Sequence, residues 1–326
     1  MGAKYLESLL VLLGKEPHRP TPQEWSPPAR EIHELKRLRK EDFERAKEEI
    51  RAHPRAQRWL KRRWATLISI NLLFVLSYWL DIQLLEGSLT ASRLLGFHLI
   101  DLNAALQVML AHRHVIVNLL IGTGTVLVLW LLLGGRSFCS WVCPYHLLAE
   151  LAEKLHLRLA ERRLVKDHGF DRRGRTFLWA VFALLALLTG YTVFETISPT
   201  GIVSRALIYG PGLALVWVLA LLAFEVLYSR RAWCRYLCPI GLTYGLVGVY
   251  SPVRIVHRLD RCFHEGDCRK VCLVPHVLEH VIRGRATEML TDVGADCTRC
   301  GMCVDACPSG ALSYHIKGLS SLRDKP

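Results

Sequence analysis

The chain has 326 residues, 51% of them hydrophobic, with a formal net charge of +13 and 22% charged residues. With its positive mean hydropathy it is too apolar for an ordinary soluble protein and too charged to lie wholly in a membrane, so a membrane part joined to an aqueous part is expected. Lys and Arg crowd the ends of apolar stretches and no nucleic-acid motif is present, so the basic balance points to a membrane rather than to RNA or DNA.

Residues 1–64 read as a charged N-terminal region. A Pro-rich piece, His18 to Pro28, separates a short apolar helix near Tyr5 to Leu13 from a mixed-charge helix at about Arg30 to Arg51, with pairs such as Glu41/Arg45 at i,i+4. The apolar helix has no small-residue cleavage site after it, unlike a signal peptide. The charged one reads as solvated or as a docking element for a partner.

Residues 65–250 read as a membrane domain. Four stretches, Ala65–Leu85, Val115–Leu133, Phe177–Ile197 and Ile208–Leu227, match a hydrocarbon core of ~30 Å. Loops 48–64, 135–176 and 228–248 hold 18 Lys and Arg, against three in 86–114 and 198–207. The positive-inside rule then puts both termini in the cytoplasm of a bacterial inner-membrane protein. Leu94 to Leu110, with His98, Asp101, Asn103 and Gln107 interspersed, reads as a helix lying in the outer interface.

An internal repeat runs through this region. Gly135-Arg-Ser-Phe-Cys139-Ser-Trp-Val-Cys143-Pro144 recurs as Arg230-Arg-Ala-Trp-Cys234-Arg-Tyr-Leu-Cys238-Pro239. Each repeat is a pair of spans ending in C-x3-C-P, so the cysteine pairs should face each other across a pseudo-twofold axis. Cysteines at i and i+4 share a helix face. The four thiols suit an additional metal or cluster, dithiol chemistry, or simple packing at a helix crossing.

Residues 251–318 read as a ferredoxin-like domain, with 319–326 as a tail. Cys297-Thr-Arg-Cys300-Gly-Met-Cys303-Val-Asp-Ala-Cys307-Pro308 has the C-x2-C-x2-C-x3-C-P spacing of bacterial iron–sulfur proteins, whose fourth cysteine serves the other of two clusters. The partner run is Cys262-Phe-His264-Glu265-Gly-Asp267-Cys268-Arg-Lys-Val-Cys272, with Glu265 in the second ligand position. One cluster, a [4Fe–4S], then takes Cys272, Cys297, Cys300 and Cys303. The other takes Cys262, Cys268 and Cys307. Its last corner is open to Glu265, to His264 or Asp267, or to a vacancy, giving [4Fe–4S] or [3Fe–4S]. The eleven cysteines are odd in number and all clustered, as reduced metal-holding thiols are and as a secreted disulfide scaffold is not.

Ionisable residues near the spans are functional candidates. Glu195, ahead of Ser198-Pro199, is placed to take a proton from a quinol, and Asp101 and Gln107 carry the same reading. Asp81 and Glu225 lie near span ends. His112 and His114, beside Arg113, suit solvent or lipid headgroups.

These motifs resemble the NapH-type ferredoxins, membrane quinol-dehydrogenase components of periplasmic nitrate reductase systems, and their MauN-type relatives. The likeness rests on Phe138 to Pro144, Trp233 to Gly241, Cys272 with Pro275-His276-Val-Leu278, and Cys297 to Pro308. It is weaker at Asp101 with Leu106-Gln107 and at Phe194 to Pro199. It implies four transmembrane helices as two tandem pairs, a C-terminal α+β dicluster domain, and electron flow from the quinone pool toward a NapG-like ferredoxin or c-type cytochrome. Residues 1–57 and Glu265 depart from the family pattern. Two rivals share these motifs: a copper-handling reductase or assembly factor of the CcoG type, and a NosR-like electron donor for enzyme maturation.

Overall fold

The computed structural model describes residues 2–38, 41, 44, 48, 57–81, 85–94, 97–264, 266–282 and 284–319. Helix α1, Gly2–Leu12, and helix α2, Pro27–Leu38, form an N-terminal arm. Leu12 is buried with Leu242 and Val249. On α2, the His33 ring meets the Ala286 carbonyl at 3.0 Å and Lys36 Nζ donates to the Cys262 carbonyl at 2.6 Å. The mixed-charge helix expected from Arg30 is therefore docked on its own chain through α2. Arg45 lies outside the described residues.

Helix α3, Arg58–Trp79, leads into an antiparallel sheet of β1, Leu85–Ser88, β2, Ala91–Leu94, and β3, Phe97–Ile100. Helices α4, Leu102–His112, and α5, Val117–Leu133, follow. Cys139 lies in the short α6, Ser137–Trp141, and Cys143 directly precedes α7, Pro144–Glu161. Next come α8, Arg173–Thr189, α9, Val193–Ile197, α10, Pro199–Tyr209, and α11, Ala214–Leu227. A π-helical turn, Trp233–Leu237, carries Cys234, and Cys238 directly precedes α12, Pro239–Tyr250.

The four-span membrane bundle expected from hydropathy is not found. Among the described residues no helix is long and apolar enough to cross a membrane. Helices α5 and α8 have 17 residues and α11 has 14, a rise of about 26 Å and about 21 Å against a core of ~30 Å. Helix α8 stops at Gly190, and the stretch 208–227 is interrupted by Gly210-Pro211-Gly212 between α10 and α11. Helix α3 has 22 residues, but Arg58, Lys61, Arg62 and Arg63 occupy its first two turns. A hydropathy window averages over such breaks. The interfacial helix expected over Leu94–Leu110 is also corrected. Strands occupy its first part, and α4 starts after Asp101, whose carboxylate accepts from the Asn103 and Ala104 N–H groups at 3.0 and 3.1 Å as an N-cap.

Aromatic side chains knit the helical body together. Phe138 stacks on Tyr244 at 4.7 Å, and Trp130 meets Phe138 edge-on at 5.4 Å. Helix α5 crosses β3 where Gly122 faces His98, and a Cβ at Gly122 would collide with the His98 carbonyl oxygen. Backbone cannot yield there, so Gly122→Ala should part helix from sheet and cost about 1–3 kcal/mol, read as a lowered thermal midpoint.

The C-terminal domain is a second antiparallel sheet, with β4, Val253–Arg258, between β5, Leu290–Asp292, and β6, Leu312–Ile316. Val256 pairs with Asp292 on one side and Ser313 on the other. Two one-turn helices, α13, Asp267–Val271, and α14, Met302–Ala306, pack against each other. Cys272, Cys297 and Cys303 are buried in the domain's core with Val274, Leu278 and Leu312.

Candidate functional site

The two cysteine runs of the C-terminal domain fold alike. His264 and Arg299 both adopt positive φ, 56° and 49°, and each donates its N–H to the sulfur two residues back, Cys262 and Cys297, at 3.4 Å. Gly266 and Gly301 then start α13 and α14 with φ of 79° and 76°. By sequence count, position 265 corresponds to Cys300. Glu265 itself lies outside the described residues.

Cys272 lies near the thiols of the second run, and Cys307 near those of the first. The thiols exerting the strongest charge effects on Cys303 are those of Cys272, Cys300 and Cys297. Those acting on Cys268 are Cys262 and Cys307. Cys262, Cys268 and Cys307 line one cavity with His264 and Asp267. His264 Nδ1 lies 3.5 Å from the Cys262 sulfur, whereas Asp267 is bonded to Lys270 at 2.9 Å.

The C-x3-C-P pairs also converge. Cys139, Cys143, Cys234 and Cys238 line a single cavity with Arg136 and Arg231. Cys143 and Cys238 share one extended backbone conformation, ψ of 117° and 112°, each followed by a proline that opens a helix. The backbone N–H groups of Tyr145 and His146 reach the Cys143 sulfur, and those of Ile240 and Gly241 reach Cys238. Cys143 also lies 3.2 Å from the Thr200 hydroxyl. Among the described residues, no three His, Cys, Asp or Glu side chains converge on a point as the ligands of one ion do.

Burial pushes the thiols up, Cys143 and Cys297 to about 11 and Cys268 to about 12, so only a bound cation would hold them as thiolates at neutral pH. Buried sulfur donors, soft and pre-gathered, fit iron–sulfur ligation.

A charged layer joins the body to the C-terminal domain. Arg136 donates to Asp296 Oδ1 at 2.6 Å, Arg175 donates to the same oxygen at 3.1 Å, and His276 meets Oδ2 at 2.6 Å. Arg63 pairs with Glu150, and Arg231 and Arg235 share Glu153. Ser140 donates to the Thr298 carbonyl at 2.8 Å and Trp141 to that of Arg299 at 3.0 Å.

Of the proton-handling candidates, Asp101 lies beside Tyr244 and within electrostatic reach of Cys139. Asp101 is 4% exposed and its Oδ1 has no hydrogen-bond partner. Burial raises its pKa, and the Tyr244 hydroxyl lies beside it. Glu195 is near enough to feel the Asp101 charge, and its Oε1 is buried and unpartnered. Gln107, on α4, is buried with its Oε1 unpartnered as well. Glu225 instead accepts the Trp233 N–H at 3.0 Å, fixing the turn before Cys234. Asp81, His112 and His114 are exposed.

Sequence reading missed Tyr244, Asp296, Arg136 and Arg231. The two arginines had a signal: each stands three residues before the first cysteine of its pair, the same place in both repeats.

A family described as 4Fe-4S binding domain matches residues 115–163 and 211–256, the segments that carry the C-x3-C-P pairs, and a second of that description matches 295–313. The methylamine utilization ferredoxin-type protein MauN of Methylorubrum extorquens is 31% identical over 82% of this chain and 92% of its own length. MauN of Paracoccus denitrificans is 34% identical over 73% and 83%. The ferredoxin-type protein NapH of Escherichia coli is 31% identical over 87% and 99%. No solved structure matches the chain.

Proposed function

The chain belongs to the family of NapH and MauN ferredoxin-type iron–sulfur proteins, and from that premise we propose that it oxidises a quinol and delivers the electrons to a partner redox protein. The observation that carries this reading is the buried Asp101, within electrostatic reach of the half-buried Glu195 and linked through Tyr244 and its stacking partner Phe138 to the thiol-lined cavity.

Quinol oxidation releases two electrons and two protons. The unpartnered oxygens of Asp101 and Glu195 are acceptors for those protons, and Gln107 is a hydrogen-bonding group to orient the quinol ring. Clusters held by the cysteines would supply the one-electron acceptors. Cys272, Cys297, Cys300 and Cys303 hold one [4Fe–4S] centre. Cys262, Cys268 and Cys307 hold a second, of three or four irons according to what fills the position of Glu265. The acceptor is a NapG-like ferredoxin or a c-type cytochrome. A seat at the bacterial inner membrane is supported by the exposed Leu72, Leu73, Ile121, Val128, Leu184, Leu188, Val216 and Leu219, an apolar surface that lipid would cover.

Adding menaquinol or ubiquinol analogues to anaerobic protein should bleach its visible absorption. Bleaching by dithionite but by neither quinol would sink the proposal.

A further inference from the structure

We propose that Lys36, on the N-terminal arm, is a built-in counter-cation of the centre at Cys262, Cys268 and Cys307 and raises that centre's midpoint potential. The inference rests on the reading above that these three cysteines hold a second iron–sulfur centre, and it makes Lys36 a positioning residue of charge rather than a ligand.

The arm is docked on the first cysteine run. Ala29, Ile32, His33 and Lys36 recur at helical spacing and share one face of α2. Ala29 is buried with Leu259 and Ala286, and Trp25, Ile32 and Met289 pack around them. The Ser26 N–H donates to the Thr287 carbonyl at 2.9 Å. The His33 ring stacks between Trp25 and His264, with centroids at 4.0 and 6.0 Å. That series of rings ends at the Cys262 sulfur, 3.5 Å from His264 Nδ1. One turn further along α2, the half-buried Lys36 donates to the carbonyls of Leu259 and Cys262, the second at 2.6 Å.

Charge decides what this contact does. Each reduction adds a negative charge to an iron–sulfur centre, and a cation at short range in a medium less polar than water favours that state. Burial works against the Lys36 ammonium, while the Cys262 sulfur and the Asp260 carboxylate support it. The Lys36 charge also reaches His264 and His257, which line the cavity of Cys262, Cys268 and Cys307. Other charges on this run are answered within it: Lys270 by Asp267 at 2.9 Å, and Arg258 and Arg261 by Asp260 at 3.6 and 3.9 Å. An apolar cover alone would exclude water and disfavour the reduced state. Lys36 opposes that penalty from inside the cover. The cation acting on Cys297, in the complete centre, is instead Arg299. The effect of Lys36 should therefore fall on one centre.

The test is a redox titration followed by EPR on the full chain purified without oxygen. The signal that disappears in Cys268→Ser belongs to the centre at Cys262, Cys268 and Cys307. Lys36→Met, which keeps the apolar stem, should shift the midpoint of that signal down by about 59 mV or more, a tenfold change in a one-electron equilibrium. The midpoint of the other ferredoxin-domain centre should stay in place. Lys36→Arg should hold the wild-type value. An unshifted midpoint in Lys36→Met would overturn the proposal. So would an arginine variant that falls as far as the methionine one, since packing rather than charge would then be at work. Should Lys36→Met not accumulate, Lys36→Gln, which keeps a donor for the carbonyls and loses the charge, is read by the same criteria. A wild type with a single ferredoxin-domain centre would overturn the two-centre reading and the proposal with it, whereas an unshifted midpoint with both centres present overturns the proposal alone. None of these readouts uses a quinol, so they stand apart from the dehydrogenase reading.

Discussion

Replacing Asp296 by asparagine is expected to destabilise the protein by about 3–5 kcal/mol, the usual consequence of stranding buried cations. Asp296 is 2% exposed and answers three groups: Arg136 and Arg175 on one oxygen, His276 on the other. The two arginines, which also support the four-thiol cavity and the α1–α8 contact, have no other carboxylate in their ion pairs among the described residues. Their charges hold the Asp296 carboxyl well below the usual carboxylate range. The asparagine side chain would keep the shape and one acceptor but leave both guanidinium charges uncompensated. The thermal midpoint should fall by about 10 °C, and iron content should fall with it, since Cys297 is the next residue. Asp296→Glu should recover part of both. A midpoint within about 2 °C of wild type for the asparagine variant would show that the layer does not hold the two parts together.

Asp101→Asn should slow quinol-driven reduction of the iron–sulfur centres by about 10²–10⁴-fold while leaving reduction by dithionite unchanged. The substitution is discriminating because Asp101 has two tasks. As N-cap of α4 it accepts from Asn103 and Ala104, and asparagine caps as well as aspartate does. As a base it needs an ionisable oxygen, which asparagine lacks. The pH dependence follows. Burial raises the Asp101 pKa, and only the carboxylate can accept a proton, so the wild-type rate should fall as pH drops through a midpoint above the ordinary carboxylate range. Asp101→Asn should abolish that midpoint. A variant that matches wild type in rate and pH profile would remove Asp101 from the reaction.

The ferredoxin runs were legible because local spacing alone sets their geometry. A tight positive-φ turn, a glycine and a single helical turn between fixed cysteines are short-range features, and both runs adopt them. The pairing of the two C-x3-C-P motifs was legible for another reason: a repeated motif implies a repeated fold, and repeated folds tend to meet about an axis. The Glu265 position is read the same way, by sequence register against Cys300, and lies outside the described residues. Asp101 and Glu195, chosen apart in sequence, lie within electrostatic reach of each other.

Where the reading failed, the cause was length and partnership. Hydropathy saw four apolar stretches but not where each helix stops. Gly190 and Gly210-Pro211-Gly212 end helices short of the rise a bilayer needs, and strands before Asp101 take the first part of the expected surface helix. The charged helix expected from about Arg30 read as solvated or as a docking element for a partner, because its contacts, the carbonyls of Ala286 and Cys262, are more than 200 residues away. Arg136, Arg175, Asp296 and His276 each looked like ordinary charged residues for the same reason.

The cysteine spacing by itself therefore pointed to iron–sulfur chemistry, and family models described as 4Fe-4S binding domains match the segments that carry it. Which charges surround those thiols was decided only by the tertiary structure. An arginine's energetic meaning depends on whether it is buried and on what faces it, and Arg136 and Arg231 acquire both only when two distant repeats close on one cavity.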